Sequence, residues 1–243
     1  MQIIDIVARL ILILAITTLL LTRKDNRQVK YFQQQTWSTR EVVPVYWMLV
    51  LISLIMLILH NIIPERRLYQ IVSLIITLFV GFILLVAARI IITKKRGLPL
   101  YVIGFKTFDV YWFLMLIVIQ YITLIAFFYE KVMQDYSLVT WFFVYISIML
   151  VFWPVIEETF YLGMMFIPTS RILGLLNGAV LVSLLRTVIH FGNNLPALAI
   201  SFIMGLLGCY LYIKIKRILV PLLLHSSFNF FVLMRELSSF SVL

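Results

Sequence analysis

Charged residues and cysteine are both scarce in this chain. Only 12% of its 243 residues are charged and 63% are hydrophobic, whereas about a quarter of the residues in a soluble domain are charged. This composition excludes a soluble globular domain and predicts a bilayer as the surroundings. The single cysteine, Cys209, excludes an intramolecular disulfide and a CxxC metal-binding motif. The sequence has no Gly/Pro-rich tract that could serve as a linker between domains.

Long apolar stretches occupy most of the chain. A membrane helix needs about 20 predominantly apolar residues, and the stretches of that kind are Ile3 to Thr22, Val43 to Ile63, Leu68 to Ile92, Val110 to Tyr129, Leu138 to Phe166, Ile172 to Phe191, Leu195 to Ile213 and Ile218 to Met234. We therefore predict an all-α fold, a polytopic transmembrane bundle of about eight helices. Residues 1–243 form one integral membrane domain, in which the spans within residues 1–137 have no assigned role.

The net charge of +10 first suggests a nucleic-acid partner. Basic and aromatic residues do not interleave on a polar face, however, as a nucleic-acid surface would require. The basic residues instead concentrate in the loops between the apolar spans, where the positive-inside rule accounts for them. The expected partner is therefore the lipid bilayer and not nucleic acid.

A few ionisable side chains lie inside the apolar spans. Each costs about 2.5 to 3.5 kcal/mol on insertion scales, so each is a candidate functional residue. The set is Glu157, Glu158, Arg186, His190 and His225, with Asn229 as a polar companion. Adjacent residues on a helix point about 100° apart, so we expect one glutamate to face the chemistry while a structural partner holds the other. The natural counter-ion of Arg186 is one of the two glutamates.

The spacing of these residues suggests how they could act together. Arg186 and His190 are four residues apart, as are His225 and Asn229, so each pair shares one helix face. A carboxylate can take a proton from water, and histidine or asparagine can donate hydrogen bonds to an oxyanion. The same side chains suit a divalent ion such as zinc, which Glu157, His190 and His225 would hold if the site uses one. The sequence has no HExxH motif that would favour a metal, so it does not decide whether the site uses a metal cofactor.

Three short motifs together resemble the CPBP intramembrane proteases, also called the CAAX prenyl endopeptidase or abortive-infection family. The first family motif, a proline shortly before EExxxRG, is similar to PVIEETFYLG at residues 154–163. The second, FxxxH, is similar to Arg186 to His190, and the third, HxxxN, to His225 to Asn229. Each motif alone is weak, whereas the three in order on separate apolar spans are a strong signal. The resemblance covers about residues 151–230 and predicts a catalytic core at residues 138–235.

The resemblance implies a role for each site residue. Glu157 would be the catalytic carboxylate that activates water, and Glu158 would support it. His190 and His225 would hold or polarise the water, and Asn229 would assist the oxyanion. The implied function is hydrolysis of a peptide bond near the membrane surface of a bacterial plasma membrane. The substrate would be a peptide or membrane protein, as in bacteriocin immunity, pheromone processing or trimming of lipidated proteins.

Two positions depart from the family motifs. Leu162 stands where the first motif has arginine, and Arg186 stands where the second has phenylalanine. Our hypothesis is an exchange, in which Arg186 on the neighbouring helix restores the cation that is lost beside Glu158. If the exchange fails, the chain is a non-catalytic immunity or scaffold protein with the same fold.

Other interpretations of the buried polar residues stay open. They could be structural pairs between helices, which membrane proteins use, or a proton relay in a transporter. There is also a conflict in depth between the two histidines. By the positive-inside rule, the spans that begin at Ile172 and Ile218 both start at the cytoplasmic surface. A helix from Ile172 would carry His190 about 27 Å along its axis, whereas His225 lies about seven residues into its own span. Two straight spans would keep these histidines apart.

Overall fold

The computed structural model describes residues 3–22, 38–63, 76, 79, 107–133, 144–190 and 194–239. Within these residues it has seven long helices and no strand, which confirms the all-α prediction. The helices are α1 (Ile3–Thr22), α2 (Thr39–Ile62), α3 (Thr107–Met133), α4 (Val144–Leu173), α5 (Leu175–Val188), α6 (Leu195–Ile215) and α7 (Leu219–Ser239). The predicted span Leu68 to Ile92 lies outside the described residues apart from two helical positions, so the number eight stays a prediction.

Four of the described helices are long and apolar enough to cross a membrane, namely α2, α3, α4 and α6. Helices α2, α3 and α6 lie around α4, and the residues of α4 are buried almost throughout its second half. Helix α6 packs against both α5 and α7, and α7 also packs against α3 and α4. The bundle is thus built around α4, and side chains from α5 and α7 can meet it away from lipid.

Helix α4 departs from regular α geometry on both sides of the glutamates. A π-helical segment, Ile148–Phe152, precedes the α-helical turn Trp153–Glu158, and a second, Thr159–Phe166, follows it. Pro154 has no amide proton, so the α-helical ladder loses one bond there, and the chain takes the wider π turns instead. The helix nevertheless continues through Pro154 to Leu173.

Gly174 separates α4 from α5 and allows a tight reversal. Its φ of 82° is a conformation that L side chains rarely adopt. The two helices then pack closely, because a Cβ at Gly178 would lie 2.8 Å from Cα of Ser170. Gly205 brings α6 equally close to α5, where a Cβ would lie 2.9 Å from Cβ of Ser183. Glycine at these two positions lets three consecutive helices approach one another.

Helix α5 is shorter than predicted, which reduces the conflict in depth. It has 14 residues, Leu175–Val188, instead of extending over Ile172 to Phe191. At roughly 1.5 Å per residue it is about 21 Å long, which is less than the roughly 30 Å hydrocarbon core. The end of α5 therefore does not need to reach the opposite membrane surface. Arg186 in its last turn can lie at the depth of His225.

Candidate active site

Arg186 pairs with both glutamates of α4. Its Nη1 lies 2.9 Å from Oε1 of Glu158, and its Nη2 lies 3.0 Å from Oε2 of Glu157. All three side chains are at least nine-tenths buried. The sequence predicted one of the two glutamates as the counter-ion of Arg186, and the structure shows both in contact with it. The guanidinium presents several N–H groups in a planar fork, so one arginine spans carboxylates that point in different directions.

His225 completes the cluster from α7. Its Nδ1 lies 2.8 Å from Oε1 of Glu158 and 3.0 Å from Nη2 of Arg186. A carboxylate only accepts and a guanidinium only donates, so this nitrogen cannot hydrogen-bond to both at once. From the shorter contact we assign the ring proton to Nδ1, which donates to Glu158. In this tautomer Nε2 is an acceptor, and it lies 3.9 Å from Oε2 of Glu157.

His190 lies just beyond the end of α5. Helix α5 ends at Val188, and the His190 amide donates to the carbonyl of Thr187 at 3.1 Å, an i→i−3 bond that tightens the last turn. The prediction that Arg186 and His190 share one helical stripe is therefore wrong. Both side chains nevertheless line one cavity, and His190 is close enough to Glu157 and Arg186 to interact with their charges.

Asn229 connects α7 to the first π-helical segment of α4. Its Nδ2 donates to the carbonyl of Met149 at 2.7 Å. Next to His225, the hydroxyl of Ser226 donates to Oε1 of Gln120 at 3.0 Å, which ties α7 to α3. These two bonds fix the rotation of α7. As their spacing predicts, His225 and Asn229 line the same cavity.

The cavity has a volume of about 1000 Å³ and lies between α4, the end of α5, α6 and α7. Six polar site residues line it: Glu157, Glu158, Arg186, His190, His225 and Asn229. Most of the remaining wall is apolar or aromatic, with Trp153, Ile200, Met204, Leu224 and Phe228 among its residues. An ionic cluster at the wall of a large apolar cavity is suited to holding an apolar molecule against a polar reaction centre.

A family model described as type II CAAX prenyl endopeptidase Rce1-like matches residues 139–231. Residues 139–231 are therefore similar in sequence to this CAAX prenyl endopeptidase family. The match includes all six polar site residues named above and confirms the resemblance drawn from the three motifs. No curated protein and no solved structure matches the chain. With its four long apolar helices, the protein is an integral membrane protein, and its residues 139–231 resemble the CAAX-type endopeptidases.

Both departures from the family motifs lie near Glu158. The side chains of Leu162 and Glu158 both approach Gly208 of α6, and a Cβ on that glycine would lie 3.8 Å from each. Leu162 is almost fully buried there. The leucine thus occupies the neighbourhood of Glu158, and the cation that contacts Glu158 comes from α5.

Three further residues support the site and were not predicted from the motifs. The Tyr161 ring lies under Arg186, with the guanidinium carbon 5.9 Å from its centroid, which is a cation–π distance. Tyr46 of α2 and Arg9 of α1 both donate hydrogen bonds to carbonyls at the end of α5. Arg9 carried a signal in the sequence, because it forms an i, i+4 pair with Asp5 within an apolar span. Tyr46 and Tyr161 carried none, since tyrosines are common in membrane helices.

The side chains do not fit the metal site that the sequence left open. Zinc needs three or four nitrogen, oxygen or sulfur ligands that converge on one point. Within the described residues, no group of three His, Cys, Asp or Glu side chains is arranged to hold a metal ion. The guanidinium of Arg186 stands between the carboxylates of Glu157 and Glu158, where it supplies the cation itself.

Proposed function

We propose that the protein is an intramembrane endopeptidase in which a glutamate activates water. The observation that carries this proposal is the contact of Arg186 with two glutamates and His225 at 2.9 to 3.0 Å, at the wall of an apolar cavity. Buried charges are costly unless they are paired, and their presence in a protease-family region favours a reaction centre. The proposed catalytic core is residues 138–235.

In the proposed reaction, Glu157 is the general base. Oε1 of Glu158 already has contacts to Arg186 and His225, whereas Glu157 has one close ion pair and faces Nε2 of His225 across 3.9 Å. Glu157 takes a proton from water while the water oxygen attacks the carbonyl carbon of the scissile peptide bond. The tetrahedral intermediate then collapses, the C–N bond breaks, and Glu157 gives the proton to the departing amine.

The other polar residues stabilise charge in this scheme. The imidazole of His190 and the second N–H of the Asn229 amide are available to donate to the oxyanion, since one N–H of that amide already bonds to Met149. His225 holds Glu158 and presents Nε2 towards Glu157. Arg186 offsets one of the two negative charges of the glutamate pair. This supports the hypothesis that Arg186 replaces the cation that the family motif carries at the position of Leu162.

The substrate in this proposal is a peptide or membrane protein with an apolar segment near the cleaved bond. The apolar wall of the cavity and the CAAX prenyl endopeptidase match both favour such a substrate. Candidates are lipidated proteins, pheromone precursors and bacteriocins, and the proposed location is a bacterial plasma membrane. The family name points first to a prenylated C-terminal peptide.

Peptide cleavage in proteoliposomes tests the proposal. The probe is a quenched fluorescent peptide that ends in a farnesylated Cys-aliphatic-aliphatic-Met sequence, and mass spectrometry locates the cut. We expect turnover by the wild-type protein and none by Glu157→Ala, His190→Ala or His225→Ala proteins that keep wild-type helicity. Turnover that survives in Glu157→Ala would exclude Glu157 as the base.

One observation favours a second candidate, a non-catalytic immunity or scaffold protein with the same fold. Arg186 contacts Glu157 itself, and a carboxylate held in an ion pair is less free to receive a proton. In that case the wild-type protein cleaves neither the prenylated probe nor an unmodified peptide library. Its immunity or scaffolding effect in the cell would then persist in Glu157→Gln.

A further inference from the structure

Helix α1, which lies outside the family match, reaches the candidate active site through Arg9. The Nη1 of Arg9 donates to the backbone carbonyl of His190 at 3.2 Å. Asp5, one turn earlier, holds the same guanidinium at two points, with Nε 3.2 Å from Oδ1 and Nη2 2.9 Å from Oδ2. This bidentate pairing fixes the plane of the guanidinium, so Nη1 is directed at the His190 carbonyl.

Helix α2 binds the same end of α5 through Tyr46. The Tyr46 hydroxyl donates to the carbonyl of Leu185 at 2.8 Å, and its side chain is fully buried. In a continuing α-helix this carbonyl would accept from the amide of Ile189. The amide of Ile189 bonds instead to Thr187, because the helix ends there. Tyr46 therefore satisfies a carbonyl that the early end of α5 leaves without a helical donor.

We propose that Arg9 and Tyr46 are positioning residues for Arg186 and His190. By binding carbonyls at Leu185 and His190, they fix where α5 ends and how the chain leaves it. Arg186 follows Leu185 directly, and His190 has no helical ladder of its own to hold it. This inference rests on the proposed function. In this proposal, the function of α1 and α2 is to fix the position of the end of α5 relative to the glutamates of α4.

The first test compares the kinetics of Arg9→Met and Tyr46→Phe in full-length protein in proteoliposomes, with the farnesylated peptide as substrate. A misplaced catalytic group can cost about 100-fold in rate, and we expect kcat to fall about 10- to 100-fold in Arg9→Met. Loss of one neutral hydrogen bond in Tyr46→Phe should cost about 2- to 10-fold. KM should stay unchanged, because neither side chain lines the cavity. An unchanged kcat in both variants would overturn the proposal.

Two control variants separate positioning from a general loss of helix packing. Arg40→Met removes an exposed cation from the first turn of α2, and Thr17→Val removes a buried hydroxyl from α1 that accepts from Trp47. Neither residue lines the cavity, so both should keep wild-type kcat. If Thr17→Val lowers kcat as much as Arg9→Met does, Arg9 acts only through the packing of α1, and the proposal is wrong.

A double-mutant cycle then asks whether Arg9 acts through His190. In a His190→Gln background, Arg9→Met should lower the residual kcat by less than twofold. An equal loss in both backgrounds would contradict the proposed route.

Backbone hydrogen exchange supplies a readout that does not depend on cleavage. In nanodiscs, Arg9→Met should speed exchange in peptides that cover residues 186–190 at least fivefold, while exchange in α6 stays at the wild-type rate. Unchanged exchange at residues 186–190 would overturn the positioning role. If the wild-type protein lacks peptidase activity but this exchange difference is present, the proposed function fails and the positioning of the α5 end stands.

Discussion

Helix α4 and the helices around it show opposite solutions to the same problem, which is how to place a long helix in a membrane. Inside the protein, 78% of the apolar span of α4 is buried, against 28% for α2, 28% for α3 and 22% for α6. The exposed span of α3, Tyr111 to Phe128, carries no charged residue, whereas α4 carries two adjacent glutamates. Of these two spans, the one that carries charge is thus the one that protein and not lipid surrounds, as the cost of burying ions in lipid requires.

The same contrast holds for backbone geometry. The described α2, α3 and α6 are α-helical throughout, whereas α4 contains two π-helical segments. Wider turns weaken the hydrogen bonds of the helix backbone. Side chains of neighbouring helices can replace these hydrogen bonds only where protein encloses the helix. Asn229 does so by donating to the carbonyl of Met149 within the first π segment. Enclosure by protein therefore permits both the charges and the irregular backbone of α4.

The largest effect that we predict from this contrast is on Glu157. Replacing Glu157 by Gln keeps its shape but removes the base, and kcat/KM for the farnesylated peptide should fall about 10²- to 10⁴-fold. The matched control is Glu41→Gln in the capping box of α2, where glutamine also serves, and it should keep wild-type activity. A loss below tenfold in Glu157→Gln would mean that α4 is sheltered for structural reasons alone.

Removal of Arg186 should affect both activity and stability. Arg186→Phe leaves two buried carboxylates without their cation, and breaking a buried pair in this way costs about 3 to 5 kcal/mol. Thermal unfolding in nanodiscs measures this loss, and peptide cleavage should be abolished.

The double variant Leu162→Arg with Arg186→Phe tests the proposed exchange directly. It returns both positions to the family motifs, so it should regain at least half of the lost stability and measurable cleavage. If Leu162→Arg lowers stability further in the Arg186→Phe background, the two positions do not exchange a cation.

Disrupting the close packing around α5 should have a smaller effect, which should be confined to stability. In Gly178→Ala the new methyl group meets the backbone of Ser170 at 2.8 Å, and overpacking of this kind typically costs about 1 to 3 kcal/mol. The control is Gly208→Ala, whose Cβ would lie 3.8 Å from its nearest neighbours and should leave the unfolding temperature unchanged or slightly higher. Equal unfolding temperatures would show that α4 and α5 can separate at no cost.

The smallest effect should occur on the lipid-facing surface. Ile122 on α3 is 61% exposed, and an apolar side chain gains little by leaving lipid for protein. We expect Ile122→Ala to change the free energy of unfolding in a bilayer by less than about 0.5 kcal/mol. A loss above 1 kcal/mol would mean that another chain or segment covers this face.

The helices could be predicted from the sequence wherever hydropathy alone decides them. The predicted first span, Ile3 to Thr22, coincides with α1, and the predicted seventh span agrees with α6 to within two residues. The sequence also predicted that Arg186 pairs with a glutamate, because a buried cation must find a counter-ion. These predictions depend on length, polarity and charge, which can be read from the chain directly.

The failures concern features that tertiary contacts decide. Helix α5 ends at Val188 where Tyr46 and Arg9 bind its carbonyls, and no hydropathy window contains those distant residues. The π segments of α4 have the same apolar composition as an α-helix, so only the missing amide of Pro154 hinted at them. The contact of Arg186 with both glutamates depends on the reach of a planar group from another helix, which helical spacing within α4 cannot reveal.

The π segment before the glutamates has a consequence for how this chain tolerates changes in length. A π turn closes over one residue more than an α turn, so Ile148–Phe152 is equivalent to an insertion upstream of Trp153–Glu158. Because the wider turn absorbs that extra residue, deleting one residue from it would restore an α-helix and leave both glutamates at nearly the same rotation relative to the preceding part of α4. The segment should therefore tolerate the loss of one apolar residue more readily than a regular α-helical turn, in which a deletion rotates all that follows by about 100°.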